Sequence, residues 1–303
     1  MRLNITVLIV FICFFTGQLS SQTDIPYKVV DDLGIEFTFS SVPQKIVTLA
    51  PNLTEFIYVL GAGDKLAGNT TFCNYPEAAK NIEKIGDILT IDYEKLLTIN
   101  PDLIFITVEG NTKSSYEKLN DFGFKVFTSN PRDYNGIKKT LLDMGRIFKL
   151  ESTAQEIAAD WDKRIQRVKD ESQDSRDETL MFVVELTPLM LAGKNTFINQ
   201  FIELCGLQNF AKDSPLNYPV YSREEVFKNQ PDYIVFPLDS TVSLNDILNL
   251  YPEWKELKAV NENKLIYADR DLYFRPGPRF VDALENLFTH LSSFRNRAPR
   301  MKQ

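Results

Sequence analysis

Two glutamates, Glu94 and Glu224, occupy the same place in two copies of one short pattern. Residues 92–102 read DYEKLLTINPD and residues 222–232 read SREEVFKNQPD. In each, a capping residue (Asp92, Ser222) stands two before the glutamate, and a Pro-Asp pair (Pro101-Asp102, Pro231-Asp232) begins seven after it. Asp or Ser at a helix start accepts hydrogen bonds from N–H groups that the helix leaves unpaired. Ser222 and Glu225 have the spacing of a capping box. Proline disfavours helical geometry in the residue before it, so each helix ends there. Residues 103–106 and 233–236 are then β-branched and aromatic, as strands are. Each glutamate therefore lies in the first turn of a short helix, where the helix dipole favours a carboxylate.

Groups that make or break bonds are scarce. There is no G-x-S-x-G elbow and no H-E-x-x-H pair. His290 is the one histidine in the chain, so a histidine-rich metal site lacks ligands. An exported hydrolase would have to rest on carboxylates alone. The expectation is a protein that is not an enzyme, with no catalytic residues, no metal and no cofactor. Residues 69–76 form a polar, aromatic loop with Phe72 and Tyr75. Residues 216–221 carry Tyr218 and Tyr221, and residues 271–279 carry Tyr273, Arg275 and Arg279.

The elements that position these groups alternate along the chain. Residues 27–39 suit a hairpin with its turn near Gly34, and residues 46–49 a short buried strand. A helix follows from Pro51, with Asn52 as its expected cap and Glu55 at its third position. Helices are also expected over 116–122, 134–148, 197–204 and 280–294, and in part over 243–254. Strands are expected over 125–127, 180–186 and 265–268. The longest helical signal runs from Ser152 to Glu171, with Ala154, Ile157, Ala158, Trp161, Ile165 and Val168 along one face. About twenty helical residues reach roughly 30 Å. Short strands alternating with helices predict an α/β protein with mostly parallel sheets. A helix–Pro-Asp–strand unit repeated at long range predicts two similar lobes, with the long helix as the spine between them.

The chain has 303 residues, 44% of them hydrophobic and 25% charged, and a formal charge of −7. An acidic chain of this kind argues against nucleic acid as a partner. Arg2 followed by an apolar run over residues 7–15 has the make-up of a secretory signal. That run is too short for a membrane span, which needs roughly 20 residues. The expected division is a signal peptide over 1–21, an N-terminal lobe over 24–150, a linker helix over 151–173 and a C-terminal lobe over 176–303. Cys73 and Cys205 are expected as free, buried thiols. With no coiled-coil heptads, a monomer is expected.

The order and spacing of several segments resemble the class III substrate-binding proteins of ABC importers, the family of vitamin B12, ferric-siderophore and haem receptors. The segments are residues 46–55 (IVTLAPNLTE), 60–63 (LGAG), 73–76 (CNYP), both Pro-Asp units and 275–279 (RPGPR). The resemblance covers nearly all of the chain after the signal segment and is strongest to the vitamin-B12-binding branch. It implies two α/β lobes joined by one long helix, a ligand cleft between them and a periplasmic location. It also implies that Glu94 and Glu224 dock to arginines of the membrane permease, a pairing that carboxylate and guanidinium make well. Phe72, Tyr75, Tyr218, Tyr221, Tyr273 and Arg275 would line the cleft, the flat rings suiting a corrin or porphyrin face and Arg275 and Arg279 suiting carboxylate or phosphate groups. The implied ligand is a cobalamin-type corrinoid, with a ferric siderophore or haem as the alternative. Two positions depart from that branch. A tryptophan that meets the corrin there falls near Ile88, and a disulfide partner for Cys205 falls near Phe288.

Overall fold

The computed structural model describes residues 25–172, 177–238 and 243–297. The expected signal peptide and its cleavage point near Ser21 lie outside the described residues. The first lobe opens with an antiparallel hairpin, β1 (Tyr27–Val30) and β2 (Glu36–Phe39). Then come β3 (Ile46–Thr48), α1 (Pro51–Val59), β4 (Leu66–Gly68), α2 (Tyr93–Ile99), β5 (Leu103–Thr107), α3 (Lys113–Asp121), β6 (Val126–Ser129) and α4 (Tyr134–Ile147). The strands form one sheet in the order β4-β3-β5-β6, and every pairing in it is parallel. All five residues of β5 are buried, as a central strand covered on both faces requires.

The helix α5 (Glu151–Glu171) follows, 21 residues long and so about 30 Å from end to end. Its buried side chains are Ala154, Ala158, Trp161, Ile165 and Val168. It packs on α4 of the first lobe and on two helices of the second.

The second lobe contains β7 (Thr179–Leu186), β8 (Leu189–Leu191), α6 (Phe197–Leu204), β9 (Gln208–Asn209), α7 (Arg223–Asn229) and β10 (Tyr233–Leu238). It ends with α8 (Leu244–Leu250), α9 (Lys258–Asn261), β11 (Leu265–Asp269), α10 (Arg270–Tyr273) and α11 (Phe280–Arg297). Its sheet runs β11-β10-β7-β8, with β9 also paired to β7. All these pairings are parallel except the β7–β8 hairpin. The fold is thus α/β, with two lobes and mostly parallel sheets.

The lobes share a hydrophobic core. One buried cluster runs from Leu53 and Phe105, through Trp161 and Ile165 of α5, to Phe201, Tyr233 and Leu284. Tyr134 of α4 meets Phe280 of α11 with ring centres 5.7 Å apart. Arg164 of α5 adds ion pairs to Asp282 and Glu285 of α11 at 2.6 and 2.5 Å. Cys73 and Cys205 are both buried and free, and Phe288 packs against the shared core. His290 is exposed on α11.

The start of α1 differs from expectation. Ala50 is the cap residue, with extended backbone and no side-chain cap bond, and Pro51 is the first helical residue. Proline is pre-organised for that position and has no N–H to leave unpaired. Asn52 and Glu55 are therefore inside the helix, buried, and free to bond elsewhere.

Candidate functional site

The two repeated units fold alike. Asp92 caps α2 by accepting the N–H of Lys95 at 3.0 Å. Ser222 caps α7 through a complete capping box with Glu225. Asn100 and Gln230 end the two helices in the left-handed region, at φ 48° and 45°. Glu94 and Glu224 are each the second residue of their helix, and both are exposed. Leu97 and Phe227, one turn further on, are exposed apolar partners to them. The repeat did place the glutamates. It gave no notice of the apolar pair, because their types differ.

A cleft of about 540 Å³ opens between the lobes. Ala50 and Pro51 after β3, with Thr107, Glu109 and Gly110 at and beyond the end of β5, line one side. Phe197 at the start of α6, Tyr218, Arg270, Phe274 and Arg275 line the other. The first lobe's wall lies outside the carboxyl ends of parallel strands, where open α/β sheets hold ligands. Phe72 and Ile88 complete the wall on the first lobe's side. Ile88 thus stands in the cleft where the resemblance placed a corrin-contacting tryptophan.

Phe72 and Tyr218, both expected in the cleft, line it from the first and second lobes respectively. The Tyr218 loop is pinned by the N–H groups of Leu191 and Gly193, which donate to Pro219 and Asn217. A side chain at Gly193 would lie 2.2 Å from the Leu216 carbonyl, so only glycine allows this approach. Burial pushes the Tyr218 hydroxyl up to about 12, with nearby Glu109 raising it further and Arg132 opposing. Tyr218 is therefore a neutral phenol at physiological pH and can donate a hydrogen bond.

Three of the expected cleft residues are placed otherwise. Tyr273 is 1% exposed and packs against Phe182 and Phe201, with its hydroxyl donating to Asn286 at 2.6 Å. The expected loop there begins as α10, capped by Asp269, and this helical turn carries Tyr273 into the core. Tyr221 lies half-buried against Phe210 because its N–H pairs with Leu189 on the edge of the sheet. Tyr75 is exposed, with the Arg279 guanidinium 4.2 Å from its ring, and is not part of the cleft lining.

Arg275 does line the cleft, but most of its donors are already engaged. Nη1 donates to Glu55 and Asn74, at 3.0 and 2.9 Å. Nη2 donates to Asp271 and to the Phe72 carbonyl, at 2.5 and 3.2 Å. These bonds occupy four of the five guanidinium N–H groups. Arg279 is likewise committed, forming a two-pronged pair with Glu55 at 2.9 and 2.7 Å. Burial alone would lower its pKa, but the Glu55 carboxylate outweighs that and holds it raised. Arg270 sits 3.7 Å from Glu185 and over the Phe274 ring. Glu109, which no sequence motif singles out, sits 3.8 Å from Arg132 at the cleft edge. Its position just past the end of β5 was the signal available for it.

Residues 46–272 match the family described as periplasmic binding protein. A vitamin B12-binding protein of Pectobacterium carotovorum subsp. carotovorum is 27% identical over 255 residues, which cover 84% of this chain and 90% of that protein. An uncharacterized ABC transporter substrate-binding lipoprotein of Bacillus subtilis is 28% identical over 279 residues, 89% of this chain and 87% of that protein. Among solved structures, the periplasmic vitamin B12 binding protein of Vibrio cholerae superposes with a TM-score of 0.73 at 28% identity. That superposition covers 84% of this chain and 99% of the other.

Proposed function

This chain belongs to the periplasmic binding protein family, non-enzymatic carriers of solutes, and we propose that it captures a cobalamin-type corrinoid and delivers it to an ABC permease of the inner membrane. The observation that carries the ligand choice is the state of the cleft arginines. Arg275 has four of its five N–H groups bonded to protein acceptors. Arg270, half exposed, has its charge partly offset by Glu185 at 3.7 Å. Haem and many siderophores bring carboxylates or other anionic groups, which need unpaired cations. A cobalamin-type corrinoid instead offers a flat face and a rim of neutral amides, with its one phosphodiester on the nucleotide tail and not on the ring. Phe72, Phe197, Tyr218 and Phe274 supply rings and apolar surface for the face. The Glu109 carboxylate and the neutral Tyr218 hydroxyl supply an acceptor and a donor for amides. The names of the Pectobacterium and Vibrio relatives support the same choice.

Delivery rests on Glu94 and Glu224. Each is an exposed carboxylate in the first turn of its helix, with an apolar side chain beside it. Two such tips, one per lobe, suit a permease that presents two matching guanidinium groups. In this reading the protein acts in the periplasm as a monomer, after removal of residues 1–21.

Calorimetric titration of the mature chain with cyanocobalamin, beside a ferric hydroxamate siderophore and haem, tests the ligand. One-to-one binding of cyanocobalamin alone is expected. Binding of either iron compound without cyanocobalamin overturns the corrinoid assignment and moves the protein to the iron-uptake branch.

A further inference from the structure

Glu55 is the most deeply placed charge near the cleft, at 3% exposure on α1. A buried carboxylate without partners carries a heavy desolvation cost. Here it accepts three hydrogen bonds from Arg275 and Arg279 of the other lobe, at 3.0, 2.9 and 2.7 Å. Asp271 also pairs with Arg275, so two carboxylates balance two guanidinium groups.

What these arginines hold in turn is the loop that carries Phe72. Arg275 binds the Phe72 carbonyl and the Asn74 side chain. Asn74 also donates to Asp271 at 2.6 Å. Arg279 covers the Tyr75 ring. Phe72 itself is 54% exposed, so little packing of its own ring fixes it. Beside this cluster, the Asn52 amide donates to the Pro276 carbonyl at 3.0 Å. The Gly277 backbone rests so close to Asn52 that an added side-chain carbon would lie 3.1 Å from the Asn52 Cβ. The lobes are therefore stitched beside the cleft by polar contacts, in which Glu55 of the first lobe is the carboxylate that holds both arginines.

We infer that Glu55 is a positioning residue for the ligand cleft: it orients Arg275 and Arg279 across the lobe boundary, and they fix the loop of Phe72, Asn74 and Tyr75, from which Phe72 lines the cleft. Glu55 touches no ligand in this role and acts through the arginines.

Hydrogen exchange of the ligand-free protein tests this without reference to any ligand. The Thr71 and Cys73 amides, which donate to Gly86 and Thr70, report on the loop, and the α4 amides serve as the control. In Glu55→Gln the loop amides should exchange about tenfold faster while the α4 amides keep their rates, as for a local opening. If that variant accelerates all amides alike, Asn74→Ala decides, because it cuts the outer end of the cluster without burying an unpaired charge. Unchanged loop exchange in Asn74→Ala overturns the inference. A second readout rests on the corrinoid assignment. Asn74→Ala should weaken cyanocobalamin binding about tenfold, and that loss should vanish in a Phe72→Ala background if the cluster acts through Phe72. Additive losses overturn the positioning role. Silence toward cyanocobalamin in the unmutated chain counts against the corrinoid assignment only, and hydrogen exchange then decides the role of Glu55 by itself.

Discussion

Asp102 and Asp232 are structural counterparts: each carboxylate accepts backbone N–H groups at the entry of a neighbouring strand. Asp102 takes those of Gln44 and Lys45, at 2.8 and 2.9 Å, just ahead of β3. Asp232 takes that of Thr179, the first residue of β7, at 2.9 Å. The Pro-Asp pair thus ends one helix and also sets where the adjacent strand begins. Hydrogen bonds to a charged group contribute about 1.5–3 kcal/mol when sheltered, and less in water. Asp232→Ala should cost about 2 kcal/mol and Asp102→Ala, which is more exposed, about 1 kcal/mol. Urea unfolding of the two variants checks this, with the larger loss expected at Asp232.

The docking role of the two tips is separable from ligand capture. Glu94→Ala combined with Glu224→Ala should abolish ligand uptake by cells while calorimetry shows affinity unchanged. Neither carboxylate lines the cleft, so a matched loss of affinity would contradict the assignment, and unchanged uptake would remove the docking claim.

Ring truncations distinguish the cleft wall from the core behind it. Phe72→Ala and Tyr218→Ala should each weaken cyanocobalamin binding by about tenfold, the scale of one lost aromatic contact. Tyr273→Phe should leave affinity unaltered and reduce stability by about 1 kcal/mol, through the hydrogen bond to Asn286. Titration and thermal unfolding of the same three variants measure both effects.

The α5–α11 contact predicts a pH dependence. Hydrogen bonding from Arg164, with burial opposing and the Arg164 and Arg167 charges assisting, holds the Glu285 carboxyl below its ordinary value of 4.5. A carboxyl depressed in the folded state contributes stability that is fully present above 4.5 and is lost as pH falls through the depressed value. The melting-temperature gap between the unmutated chain and Glu285→Gln should therefore be constant near neutrality and shrink below pH 4.5. A gap that persists unchanged to about pH 3 would remove Glu285 from this role.

Much of the fold was legible because its signals are local. Helix starts at Asp92 and Ser222 depend on groups three residues apart. The long helix shows itself through one apolar stripe, and the α6 boundaries follow from a capping Thr196 and a stop at Gly206. The two glutamates were legible for the same reason, since each is defined by its own helix turn. Phe72 could be proposed for the cleft from its polar, aromatic loop, whereas Tyr218 could be proposed only through the family resemblance.

The roles of Glu55, Tyr273 and Arg275 were decided only in three dimensions. Glu55 has the sequence spacing of a helix-start acid, yet its partners lie 220 and 224 residues further on. Arg275 has the type of an anion-binding group, but whether a guanidinium is free for ligand depends on which carboxylates the folded chain brings to it. Tyr273 sits in a stretch that reads as loop, and one turn of helix there points it inward. Composition and spacing determine which elements form and what groups they carry. The lobe-to-lobe packing determines which of those groups are consumed by the protein's own charges and which remain to meet a ligand. That choice is electrostatic and steric at long range, and local sequence does not encode it.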